Sequence, residues 1–372
     1  MFTASPAIAP DSAGTTRGPV SNPMLPDPRA FLLRQSEIAR SLGSPLVGEI
    51  LAAAHRQLHR APQLEAMIIA WPVDPAASAM ALRLNAGLHA LARRCTFPDL
   101  SALYAGEHQM FDRAVGEALE WAEPTLLVWM GHPTQTNEVR RSSAFMAALS
   151  VLARRFGLPF ELFELGASAG LNLLLDRYAY TLGGVSFGPP DAGLHLTPQW
   201  QGPPPPQTGV RIVAARGVDL RPLCLDDPHT RERLMSYVWP GDDDRSDCLR
   251  RAMAIAFDAA PVVDRASAAP WLAARLAEPQ AEGTMRVIQH SMALQYLPGE
   301  ELNTVIASLR EAGARATPSR PLARIGLEWC RDRSQVLLCM TSWSGGGADD
   351  GERRILASCH PYGATIAWRG TD

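Results

Sequence analysis

Apolar residues recur at helical spacing through residues 29–157. Leu46, Ile50, Leu51, Ala54 and Leu58 share one face, and Met80, Leu84, Leu88 and Leu91 repeat the pattern. Gly43, Ser44 and Pro45 separate two helices, because glycine suits the position after a helix, serine the N-cap and proline the first turn. Asp74 and Pro75 give a second start signal before Met80, and two further helices are predicted near 106–122 and 137–156. No stretch in this region alternates with period two. An all-helical N-terminal domain or cap is therefore expected over 29–157.

After Gly157 the pattern changes to short apolar runs separated by helices, the mark of a parallel sheet with crossover connections. Strands are predicted at 160–165, 210–215, 261–264, 285–290, 323–329 and 336–342. A last pair, 355–358 and 364–368, brackets a turn at Pro361, Tyr362 and Gly363. The expected class is α/β: a Rossmann-like, mostly parallel sheet with an antiparallel C-terminal strand over 158–372. Residues 181–208, with Pro189, Pro190 and a proline run at 203–206, read as a loop-like insertion with room for a small hairpin. Residues 1–28 are rich in Pro, Ser, Ala and Gly and lack a basic stretch followed by a long apolar run. They read as a disordered leader, not a signal peptide.

Composition narrows the chemistry. The 372 residues are 47% hydrophobic and 20% charged, which fits a globular protein with a sizeable core. A net charge of −3 supplies no basic field to steer the chain onto nucleic acid or an anionic membrane, so a small molecule is the expected partner. All 35 basic side chains are arginine. The lack of lysine excludes a pyridoxal-phosphate Schiff base, a Walker A loop and a Ser-x-x-Lys nucleophile. The six cysteines form no C-x-x-C pair, so neither a zinc site nor a redox motif is expected. No apolar run reaches the roughly 18 residues that span a bilayer, and a cytoplasmic protein with reduced thiols is expected.

The segment FELFELGASAGLNLLLDRY, residues 160–178, carries the most specific chemistry. As G-x-S-x-G it would be a nucleophile elbow with Ser168 as nucleophile, followed by Asp219 or Asp264 and then His290 or His360. That reading lacks the strands that should precede an elbow and leaves Glu164 without a task. As E-x-G-x-S-x-G it is a cofactor loop. Glu164 then closes the first strand, Gly166 makes the tight turn, and Ser168 stands where a third glycine is usual. Gly170 lets the next helix start close to the cofactor, with Ala167 and Asn172 in the same loop. A carboxylate before the turn favours S-adenosylmethionine, which carries positive charge, over a pyrophosphate, which it would repel. A third reading is a plain tight turn between strand and helix.

Later segments extend the second parse. GVDLRPL at 217–223, VVDRASAAPWL at 262–272 and VIQHSMALQYLP at 287–298 together resemble a class I S-adenosylmethionine-dependent methyltransferase domain. With PTQTNEV at 133–139, nearly everything after residue 29 is also similar to a family of uncharacterised bacterial proteins grouped as a domain of unknown function, assigned to the methyltransferase-like superfamily. The resemblance implies that Asp219 binds the ribose hydroxyls and that Asp264 lies near the adenine amino group. Asp219 lies roughly fifty positions beyond Gly166, where about 20 is usual, so the proline-rich segment must be an insertion. A turn or helix-capping aspartate is the other role open to Asp219.

On the acceptor side, His290 and Tyr296 follow the fourth strand, and a histidine there suits general-base work. A histidine hydrogen-bonded within the strand-to-loop turn fits equally. Gln135, Asn137 and Glu138 form a polar cluster that could face the acceptor, although an N-cap at Thr136 or Asn137 explains part of it. The sequence thus predicts an S-adenosylmethionine-binding, methyltransferase-like protein with a small-molecule acceptor and no metal. The alternatives are a non-catalytic binding or regulatory protein of the same fold, and a serine hydrolase using Ser168.

Overall fold

The computed structural model describes residues 28–75, 78–346 and 351–370, so the leader expected at the N-terminus falls outside it save for Pro28. Seven helices come first: α1 (Pro28–Ser41), α2 (Pro45–Gln57), α3 (Pro62–Ile69), α4 (Met80–Arg93), α5 (Pro98–Tyr104), α6 (Phe111–Trp121) and α7 (Glu123–Gly131). Gly43 takes a φ of +83° between α1 and α2, the left-handed geometry that ends a helix. Ser44 stands at the N-cap of α2, but its side chain makes no capping bond. Leu32, Ile50, Leu64, Leu84, Leu119 and Leu126 close one apolar cluster among these helices. The next helix, α8 (Ser142–Phe156), belongs to a different core: Phe145, Leu149 and Leu152 pack with Phe160 and Leu162 of the sheet.

The strands are β1 (Phe160–Leu165), β2 (Ala179–Leu182), β3 (Val185–Phe187), β4 (His195–Leu196), β5 (Gln199–Gln201), β6 (Ile212–Asp219), β7 (Val263–Arg265), β8 (Met285–Ser291), β9 (Leu322–Trp329), β10 (Val336–Trp343), β11 (Glu352–Cys359) and β12 (Thr365–Trp368). Nine of them form one sheet in the order β5-β12-β11-β10-β9-β8-β1-β6-β7. From β9 to β7 every pairing is parallel. The crossovers use α9 (Pro228–Ser236), α10 (Asp243–Ala259), α11 (Ala268–Ala277) and α12 (Gly299–Ala314). The chain steps from β1 to β6 and β7 on one side, then returns to build β8 and β9 on the other. The order therefore reverses beside β1, and in open α/β sheets the crevice at such a reversal, outside the carboxyl ends of the strands, is where ligands bind.

The sequence pattern predicts one antiparallel C-terminal strand. Instead β9 to β12 run as a meander with three antiparallel pairings, because short turns can join neighbouring strands only in that sense. The proline-rich segment is also more structured than expected. Its strands β2 and β3 form a hairpin, β4 pairs with β2, and β5 extends the large sheet beside β12.

Candidate functional site

A cavity of about 540 Å³ opens over the carboxyl ends of β1, β6 and β8. Its floor includes Gly166, Ser168, Asp219 and Ser291. The opposite wall comes from Leu82 and Arg83 of α4, residues 133–136, and the β11–β12 turn at Pro361 and Tyr362. That turn lies directly against the start of α8: a Cβ on Gly363 would sit 2.6 Å from the Arg140 carbonyl carbon.

The turn after β1 has left-handed backbone at Gly166, Ser168 and Gly170, with φ of +71°, +55° and +76°. A side chain on Gly166 would also meet Ala293 Cβ at 2.6 Å, so both conformation and space require glycine there. Gly170 is close to Pro261 and Val263, so its smallness serves packing against β7 and not, as expected, the approach of a ligand. Ala167 is buried against Gly217. The chain continues into a 3₁₀ segment, Leu171–Arg177, broken at Leu174, in place of the expected α-helix.

Every amide of the turn is engaged inside the protein. Gly166 and Ala167 donate to the Val218 carbonyl, Ser168 to Asp219 Oδ2, Ala169 and Leu171 to Asn137 Oδ1, and Gly170 to the Ala167 carbonyl. Asn137, expected to cap its own helix or to face an acceptor, instead caps the 3₁₀ segment from across the chain, with both bonds at 3.1 Å. Asp219 holds the turn as well, its other oxygen accepting from the Arg221 amide at 2.9 Å, and it is the one carboxylate on the cavity wall among the described residues.

Glu164 lies beneath the turn and does not reach the cavity. Strand alternation puts it on the face of Phe160 and Leu162, at 2% exposure, where Asn172 donates to Oε1 at 3.4 Å and Ser142 in turn donates to Asn172 at 2.8 Å. Burial raises its pKa to about 8, so the acid is neutral at pH 7. Glu164 Oε2 and Oε1 of Gln289, its in-register neighbour on β8, both lack a donor. A proton on Glu164 would let Oε2 donate, where a carboxylate oxygen can only accept.

Asp264 is not on the cavity wall, because it pairs with Arg216 at 2.7 Å and accepts from Trp271 Nε1 at 2.6 Å. His290 is fully buried and equally committed. Arg324 Nε donates to its Nε2 at 2.9 Å, which leaves the proton on Nδ1 to bond Glu328 at 2.7 Å. Burial pulls the His290 pKa down, and with both nitrogens bonded it has no free site for general-base work. Gly326, opposite it on β9, leaves room for the ring: a Cβ there would lie 2.6 Å from His290 Cε1. Glu328 also accepts from the Ala293 and Leu294 amides, so this network anchors the loop that carries Tyr296. Tyr296 and Gln135 do line the cavity. Glu138 is buried in an ion pair with Arg245 at 2.6 Å, and the Arg245 guanidinium stacks 4.1 Å above the Tyr362 ring.

Sequence reasoning missed Arg83, Arg141, Trp329 and Tyr362, all on the wall. Their relation to the turn is made only by tertiary packing, so no local motif marks them. Among the described residues no cluster of three or more His, Cys, Asp or Glu side chains is arranged to hold a metal, and no helix is long and apolar enough to cross a membrane.

These features define a mixed α/β protein with a large, mostly parallel sheet and a crevice at its switch point. The chain belongs to the family described as "Uncharacterized protein conserved in bacteria (DUF2332)", whose model matches residues 29–368. Comparisons with curated proteins and with solved structures return no match.

Proposed function

We propose that this chain binds S-adenosylmethionine at the switch-point crevice and is a methyltransferase-like protein acting on a small-molecule acceptor. The observation that carries the reading is the cavity over the turn after β1, whose amides are all engaged. A pyrophosphate needs free backbone N–H groups at such a turn, whereas a sulfonium nucleoside does not. The volume of about 540 Å³ falls in the ordinary range for small-ligand sites, about 300–1,000 Å³.

Leu220, 65% exposed just after β6, lines the cavity with Ala266 and Ala268 and offers an apolar slot for an adenine. Each Asp219 oxygen uses one lone pair on a backbone amide, Oδ2 on Ser168 and Oδ1 on Arg221, which leaves others for ribose hydroxyls. Glu164 braces the turn from below and does not contact the ligand's positive charge. The cofactor would supply an electrophilic methyl group; the chain would position the acceptor and exclude water.

No histidine lines the cavity among the described residues, which also favours a second reading, a binding protein without transfer activity. The same observation leaves Ser168 without a base, and its Oγ is buried with no hydrogen bond. Calorimetric titration of the full chain with S-adenosylmethionine and S-adenosylhomocysteine tests the proposal: saturable binding is expected, and no heat at millimolar ligand would sink it. Turnover across an acceptor screen separates enzyme from binding protein. Fluorophosphonate labelling that is lost in Ser168→Ala would revive the hydrolase.

A further inference from the structure

Four arginines reach the cavity, Arg83, Arg141, Arg221 and Arg245, against the single carboxylate of Asp219 among the described residues. Arg245 is matched by Glu138, and Asp219 is held by two backbone amides. Arg141 is 7% exposed and bonds only neutral groups, the Pro361 carbonyl at 2.9 Å and Ser291 Oγ at 3.4 Å. Arg83 likewise donates to the carbonyls of Ser78 and Met130, both at 3.0 Å. Neither has an ion-pair partner among the described residues, and the carboxylates that bear on Arg141, Glu138 and Glu328, are bound to Arg245 and to His290.

Burial pulls the guanidinium pKa down at Arg141, and also at Arg83, which is only half-buried, and neither cation has a compensating charge bound to it among the described residues. Both line the same cavity as Tyr296. In each guanidinium Nε and Nη1 are the nitrogens bonded within the protein, which leaves the Nη2 hydrogens to donate to a carboxylate. The cavity wall also carries apolar side chains, Trp329, Leu294 and Leu297 among them.

We propose that the cavity binds a small-molecule carboxylate, gripped by Arg141 and Arg83, with its apolar body against Trp329, Leu294 and Leu297. This rests on reading the cavity as the ligand site and deepens it by naming the acceptor class. The inference concerns recognition and does not depend on which cofactor binds.

The test uses the full chain without cofactor, titrated by calorimetry with benzoate and octanoate and with their neutral amides. At least one carboxylate should bind at least tenfold more tightly than its amide, and Arg141→Met and Arg83→Met should each remove most of that preference. Equal binding of acid and amide, or no binding of either acid, would overturn the proposal while leaving the cofactor titration to stand or fall by itself. The comparison of acid with amide on the unaltered chain needs no variant, so a misfolded Arg141→Met does not spoil it. The amino-acid end of S-adenosylhomocysteine also carries a carboxylate. If Arg141→Met weakens that ligand but not methylthioadenosine, and benzoate competes with it, Arg141 serves the cofactor and the proposal of a second carboxylate fails.

Discussion

Asp219 accepts the backbone amide of Ser168 at 2.9 Å, tying the end of β6 to the turn after β1. Its second oxygen takes the Arg221 amide, so one side chain fixes two cavity-lining segments. In Asp219→Asn one of the two amides faces an N–H group in place of an acceptor. The variant should lose about 1–3 kcal/mol of stability in urea melts. Calorimetry should also show at least a tenfold fall in nucleoside affinity, and an unchanged urea midpoint would mean that the tie does not hold the turn.

Ser168 keeps a left-handed φ of +55°, a geometry that costs an L-residue roughly 1–2 kcal/mol and glycine almost nothing. Glycine gives back about 0.5–1 kcal/mol through the greater freedom of the unfolded chain. Ser168→Gly should therefore be neutral to about 1 kcal/mol more stable and should keep its ligand. A β-branched residue in this conformation should be worse than serine. Ligand affinity lost in Ser168→Gly with stability intact would assign the hydroxyl a direct role.

His290 bridges Arg324 and Glu328, and Glu328 in turn holds the Ala293 and Leu294 amides. His290→Ala leaves a half-buried guanidinium and a half-buried carboxylate without their shared partner, which should cost about 1–3 kcal/mol in denaturant melts. Since the folded chain keeps the imidazole neutral, the unfolded chain takes up the proton first as pH falls through about 6.5. Stability should decline there in the parent and show less of that slope in the variant. A binding profile that loses an acid limb in His290→Ala, with stability unchanged, would restore a general base at this position.

The features legible in the sequence are those set by local periodicity. The long helices and the central strands are visible because their apolar spacing is 3.6 or 2, whereas α3, α5 and α7, at 8, 7 and 9 residues, are too short to show a period. Each has a proline in its first turn, a start signal that went unused. The position of Glu164 is legible in principle, since alternation from Phe160 and Leu162 assigns it to the buried face and away from the crevice. Asn137 capping a segment thirty residues on, and Arg141 bonded to Pro361, are not legible. They depend on how α8, the turn after β1 and the β11–β12 turn are brought together.

Glu164 makes the stability of the whole fold depend on pH. Its folded pKa, raised to about 8, lies well above the unfolded value of about 4.3, so between these values the folded chain holds a proton that the unfolded chain has released. The stabilising contribution is complete below the unfolded pKa and is lost progressively as pH rises toward 8. In Glu164→Gln the group stays neutral throughout and keeps both a donor and an acceptor for Gln289 and Asn172. Melts between pH 5 and 9 should show the parent losing on the order of a few kcal/mol across that window, with the variant losing less and overtaking it at the alkaline end. The same melts read the state of the acid directly: parallel curves for parent and variant would mean that Glu164 is ionised in the fold. The two bare acceptors, Glu164 Oε2 and Gln289 Oε1, would then need another donor.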